Sequence, residues 1–154
     1  MACILGTGNA TIDIVHSLTA YPAENDEVRC DSRVVCRGGN TANTLVVLSQ
    51  LGHRCRFAGV LTDDGDGRFV RNDLTVSGVD TTSCRTMSRG AMPVSTVFLN
   101  TATGSRTIVH HRDLPEYRAA DFHAIPLQNC DWLHFEGRDP DALAAMLGWA
   151  REHH

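Results

Sequence analysis

With 154 residues, 42% hydrophobic and 21% charged, and a formal net charge of −4, the chain is long enough to bury a real core and reads as one globular unit. Its 14 basic residues form no run, which argues against a nucleic-acid binder. No apolar stretch approaches the length needed to span a bilayer, and the first residues lack a basic and apolar leader, so the expectation is a cytoplasmic protein with neither nucleic acid nor membrane as partner.

Cys3 to Gly8 reads as a short buried strand running into a turn, and Ile12 to Val15 as a further apolar run holding one carboxylate, Asp13. An ionised group among apolar residues needs partners, so Asp13 either caps local backbone groups or faces a polar ligand in a cleft. Gly6-Thr7-Gly8 suggests a nicotinamide-binding turn. Thr11, however, stands where the third glycine belongs, and residues 12–15 continue as a strand instead of opening a helix. Residues 21–26 are loop-like, and Val28 to Cys36 alternates as strands with polar outward faces do.

Arg37-Gly38-Gly39-Asn40 then opens an amphipathic helix that stops at Gly52. The glycine pair removes side chains where something must approach the backbone, and the free amide groups of a helix start offer hydrogen bonds and partial positive charge. Asn40 and Asn43 share one face. Each offers donor and acceptor atoms, which together with a carboxylate suits a polyol better than an anion. An ordinary capped helix after a turn explains the local pattern equally well. Ala42, Leu45, Val46 and Leu48 are the expected core positions, with Leu51 close to the same face.

Cys55 to Val60 is the next expected strand. The acidic, glycine-rich run Thr62 to Gly67 lacks the Glu that closes a twelve-residue calcium loop, so it reads as the turn into a helix over Arg68 to Ser77, with Gly78 as the stop. Residues 93–99 and 106–111 form an expected antiparallel hairpin. Asp131 to Phe135 is a last strand, and Asp139-Pro140 supplies the cap and first-turn proline of a helix whose apolar face is Leu143, Met146, Leu147 and Ala150. That helix has no strand after it. A truncated or split βαβ protein leaves this pattern, and so does a natural C-terminal helix. His153 and His154 could be a tag remnant. Six cysteines without framework spacing point to free thiols, and no histidine or cysteine spacing suits a metal.

Taken in order, Asp13, Tyr21-Pro22, the Arg37 to Gly52 segment, Gly59 with Asp63, Gly67, Leu74 and Ser77-Gly78-Val79-Asp80, Gly104 to Ile108, and Trp132 to Arg138 resemble the ribokinase-like (PfkB) carbohydrate kinases. Within that family the ketohexokinase type is the nearest likeness. The resemblance covers nearly the whole chain and implies an α/β Rossmann-like ribokinase fold, mostly parallel, with a small antiparallel β-sheet lid. One partial domain over 1–154 is expected, with lid segments at about 15–36 and 93–111.

The resemblance further implies transfer of the ATP γ-phosphoryl to a sugar or nucleoside hydroxyl, with Mg²⁺. By position, Asp13, Gly39, Asn40 and Asn43 would hold the acceptor, Glu136 would line the same pocket, and Arg106 and Arg138 would lie near the transferring phosphoryl group. Phosphoryl transfer rests on in-line positioning and charge neutralisation, so both sets have a task. The family's Gly-Ala-Gly-Asp motif, with its anion hole and catalytic base, is absent from these residues, as is the nucleotide pocket. Asp66 occupies a different segment and is not that base. The expectation is an acceptor-binding N-terminal half of a sugar kinase, inactive alone and binding no cofactor tightly. The alternative is a non-catalytic binding or dimerisation module that forms a homodimer through the lid or pairs with a separate C-terminal half.

Overall fold

The computed structural model describes residues 1–154. In chain order the elements are β1 (Cys3–Thr7), β2 (Thr11–Leu18), β3 (Ser32–Gly38), α1 (Asn40–Gln50), β4 (Arg54–Ala58), β5 (Val60–Thr62), α2 (Gly65–Val76), β6 (Val79–Asp80), β7 (Arg85–Met87), β8 (Val94–Asn100), β9 (Arg106–His111), α3 (Ala119–His123), β10 (Trp132–Phe135) and α4 (Pro140–His153). The main sheet runs β10-β1-β4-β6, and every pairing in it is parallel. All five residues of β1 are buried, as expected of an interior parallel strand covered on both faces. The core continues through Leu45, Phe57, Leu61, Val70 and Leu74.

A second, smaller sheet runs β3-β2-β8-β9, with antiparallel pairings on either side of a parallel β2–β8 pair. Its last two strands are the expected hairpin. Residues that pair across strands share a face, so Asp13, Cys36, Ser95 and His110 point to the same side. Two residues further along each strand, Val97 and Ile108 join them, and then Leu99 and Arg106. Most of β3 and all of β9 are solvent-exposed, which a sheet packed on one face only permits.

Several boundaries differ from those the sequence suggests. The alternating run starts as a strand only at Ser32, because Asp31 is already turned to bond the Ser17 carbonyl. The run after residue 54 breaks at Gly59 into β4 and β5, and β5 leaves the main sheet to pair with β7. Helix α2 opens at Gly65, three residues early. The Asp64 carboxylate accepts the Gly67 N–H at 2.9 Å and the Thr62 hydroxyl at 2.6 Å, bonds that hold this carboxyl below the usual range. The acidic run is thus a helix cap.

Helix α1 buries Thr41, Ala42, Leu45 and Val46, whereas Leu51 is 70% exposed, since the chain has left the helix by then. In α4 Asp139 caps two N–H groups and Pro140 follows, while Met146 and Ala150 face the core. Leu147 does not. Helix α3 and its flanks, with Leu114, Tyr117, Phe122 and Leu127 in the core, carried no periodic signal in the sequence. All six cysteines are free, and burial pushes the Cys84 thiol up to about 12.

Candidate functional site

Where the first and last strands of the main sheet end, the small sheet folds over the start of α1 and leaves a cavity of about 400 Å³. Open parallel sheets place ligand sites beyond the carboxyl ends of their strands, and Asn9 and Glu136 emerge from the ends of β1 and β10. Twelve residues line the cavity, with Ile108 the one hydrophobic side chain among them. Asp13, Gly39, Asn40, Asn43, Arg106, Glu136 and Arg138 all lie in this lining, brought together from four separate stretches of sequence.

Gly39 is the first boundary residue of α1, at φ 101°, a left-handed value that favours glycine. A Cβ there would press on the Asn9 carbonyl, and one at Gly38 would overlap the Asp13 carboxyl. The glycine pair therefore makes room for groups of the chain itself as well as for anything in the cavity. No side chain caps α1; its Ala42 N–H donates to the Asn9 carbonyl at 3.4 Å, and the N–H groups of Asn40 and Thr41 are left for other partners.

Glu136 is the most heavily engaged of the lining groups. One carboxylate oxygen accepts from the Asn9 N–H at 2.9 Å and the Thr41 hydroxyl at 3.1 Å, and the other meets the Asn40 amide at 3.5 Å. It thereby ties the end of β10 to the end of β1 and the start of α1. Asp13 accepts from the Thr11 hydroxyl at 2.8 Å and keeps its other oxygen free of hydrogen bonds within the chain. Cys36, beside it in the sheet, has its thiol pushed up by burial and by the Asp13 charge.

Arg37 lies on the opposite face of the small sheet, where it is paired with Asp73 of α2 and donates to the Asn43 carbonyl oxygen at 2.7 Å. The side-chain oxygen of Asn43 is thus occupied and its amide protons remain as donors, in the same cavity lining as the Asp13 carboxylate. Arg112 donates to Asn9, to the Leu114 and Pro115 carbonyls and to Glu116, whose other oxygen meets Arg138 at 3.3 Å. Burial pulls the Arg112 proton affinity down, and Glu116 opposes that pull. The cavity therefore combines carboxylate acceptors, amide and hydroxyl donors and two guanidinium groups.

Asn9, Thr11, Ser95, Ile108 and His110 also line the cavity, although the sequence marked none of them as a site residue. For two of them a signal was available: Arg106, Ile108 and His110 are spaced by two, so one strand face carries all three. Ser95 bonds His110 across the pair at 3.1 Å. The β1 turn leads into β2 and not into a helix, so the nicotinamide reading has no structural basis here.

Residues 3–154 match the model of the pfkB family carbohydrate kinases. The chain belongs to this family. It is 37% identical over 151 residues to the ketohexokinase of Mus musculus, covering 97% of this chain and 51% of that protein. To the aminoimidazole riboside kinase of Salmonella typhimurium it is 34% identical over 158 residues, covering 94% of this chain and 43% of that protein. It therefore spans about half the length of these curated relatives. Among solved structures, the fructokinase of Xylella fastidiosa superposes with a TM-score of 0.77 at 22% identity, over 98% of this chain and 47% of that one. The Arabidopsis thaliana ribokinase complexed with ribose and ATP gives 0.73 at 17%, over 97% and 51%. These likenesses establish the ribokinase fold.

Proposed function

We propose that the chain is the acceptor-binding half of a sugar kinase and that its cavity holds a ketose. The observation that carries this reading is that the Asp13 carboxylate, the Asn40 and Asn43 amides at a helix start without a side-chain cap, and Arg106 line one cavity. A sugar hydroxyl both donates and accepts, so such a wall can read each hydroxyl from two sides. Gly39 contributes backbone, and Glu136 holds Asn9, Asn40 and Thr41 in place. Arg106 and Arg138 would offset the charge on the phosphoryl group as the acceptor oxygen bonds to phosphorus and ADP leaves.

ATP, when bound to the complete enzyme, supplies that phosphoryl group. A Mg²⁺ ion would accompany the nucleotide, bridging its phosphates and offsetting their charge. The base that takes the hydroxyl proton belongs to the other half of the enzyme, and without it the chain is inactive. Calorimetric titration with ketoses and nucleosides, with and without ATP, tests the site. Ketose binding is expected, and replacing Asp13 and Asn43 together by Ala should abolish it. Undiminished binding by that variant, or phosphorylation of fructose by the isolated chain at the rate of a complete enzyme, would overturn the reading.

A second reading, a non-catalytic binding or dimerisation module, draws on Val34 and Ile108, apolar residues exposed on one face of the small sheet. A second copy could cover them, lid against lid.

A further inference from the structure

A second cavity, of about 520 Å³, is formed by β4, the segment after β6 and the region of α3. None of its residues lines the sugar cavity. Its lining is of two kinds. Ala124, Ile125 and Pro126 supply apolar surface, and so does the ring of Tyr117, whose hydroxyl is already spent on the Ser83 carbonyl at 2.8 Å. Arg56, Ser83 and Arg85 supply hydrogen-bond donors.

Both arginines are largely buried, their side chains 20% and 26% exposed, and neither is closely matched by a carboxylate. Arg56 stands 3.9 Å from Asp80 and Arg85 stands 3.7 Å from Asp121, beyond hydrogen-bond reach, whereas Arg112 and Arg118 approach their carboxylates to 2.9 and 2.7 Å. The two carboxylates are engaged elsewhere. Asp80 accepts from the Thr82 N–H at 2.8 Å and the Thr82 hydroxyl at 3.0 Å, and Arg118 grips both oxygens of Asp121, at 2.8 and 2.7 Å. Three guanidinium groups thus share two carboxylates. Arg56 still donates to the Ser83 hydroxyl at 3.0 Å and the Pro126 carbonyl at 3.3 Å, but the Arg85 guanidinium donates no hydrogen bond within the chain. A guanidinium carries five N–H donors, and one buried to this degree calls for an acceptor.

We propose that this cavity binds a small phosphate monoester, its dianion held by Arg85 and Arg56 and its organic part laid against the apolar surface of Tyr117, Ala124 and Pro126. A dianion matches two guanidinium groups, and the three terminal oxygens of a phosphate can accept from both at once. Ser83 adds a donor, because its oxygen accepts from Arg56 and its proton remains free. The site shares no residue with the acceptor cavity and does not depend on the half-kinase reading.

The test titrates the isotope-labelled chain with phenyl phosphate, inorganic phosphate and benzoate, read by amide NMR. Phenyl phosphate should produce saturable shifts at residues 82–85 and 120–125, with an affinity about tenfold or more above that for either of the others. Arg85→Gln and Arg56→Gln should each weaken it by about tenfold or more, and a spectrum unaltered away from the substituted position would show that each variant folds. Fructose at high concentration should leave the midpoint where it was. Absence of saturable shifts at those residues, shifts confined to the sugar cavity, or displacement by fructose would each overturn the proposal. So would binding as tight for benzoate or inorganic phosphate, or binding that Arg85→Gln leaves unchanged.

Discussion

The two sheets do different work with similar residues. In the main sheet β1 is buried from end to end and β4 places Phe57 beyond the reach of solvent, so side-chain identity there is set by packing. In the small sheet β9 is exposed along its whole length, and Val109 is 60% exposed. Arg106, Ile108 and His110 of that strand line the cavity all the same. Burial is concentrated in one sheet, and half of the cavity lining is displayed on the other, where residues can vary without cost to the core.

Substitutions can break that division. Phe57→Ala empties the centre of the main sheet and should cost about 3–5 kcal/mol in urea unfolding. A loss under 1 kcal/mol would mean that the core is not where the burial places it. Gly39→Ala acts at the junction of the sheets, forcing a left-handed backbone on alanine and pressing on Asn9. A loss of about 1–3 kcal/mol is expected, together with weaker ketose binding. Val109→Ser should change stability by no more than about 0.5 kcal/mol, a difference that thermal melting can check. A larger effect would show that the small sheet's outer face is already covered in solution.

The same division explains what the sequence disclosed. The continuous apolar run of β1, the Asp139-Pro140 cap and helix α1 behind its glycine pair announce themselves through local chemistry. The seven residues named as site candidates do share one cavity, because ordered motifs carried them as a set. Asn9 and Ser95 stayed hidden, since nothing local marks an amide held by Arg112 from 103 residues away, or a serine facing His110 across a strand pair. Helix α3 was missed for a related reason. Phe122 is buried, yet five residues are too few to show a helical period. Leu51 and Leu147 erred the other way, because periodicity gives a face and cannot say where that face runs out of neighbours.

The bond from Glu136 to the Asn9 amide joins residues 127 apart in the chain. It sits at the end of the β1–β10 pairing, so closing it joins the two ends of a long loop. Contacts of such long sequence separation bear a heavy loop-closure cost before they are rewarded, and they slow folding. The cavity is therefore not assembled from a local nucleus. It comes into being only once the first strand and the last have met.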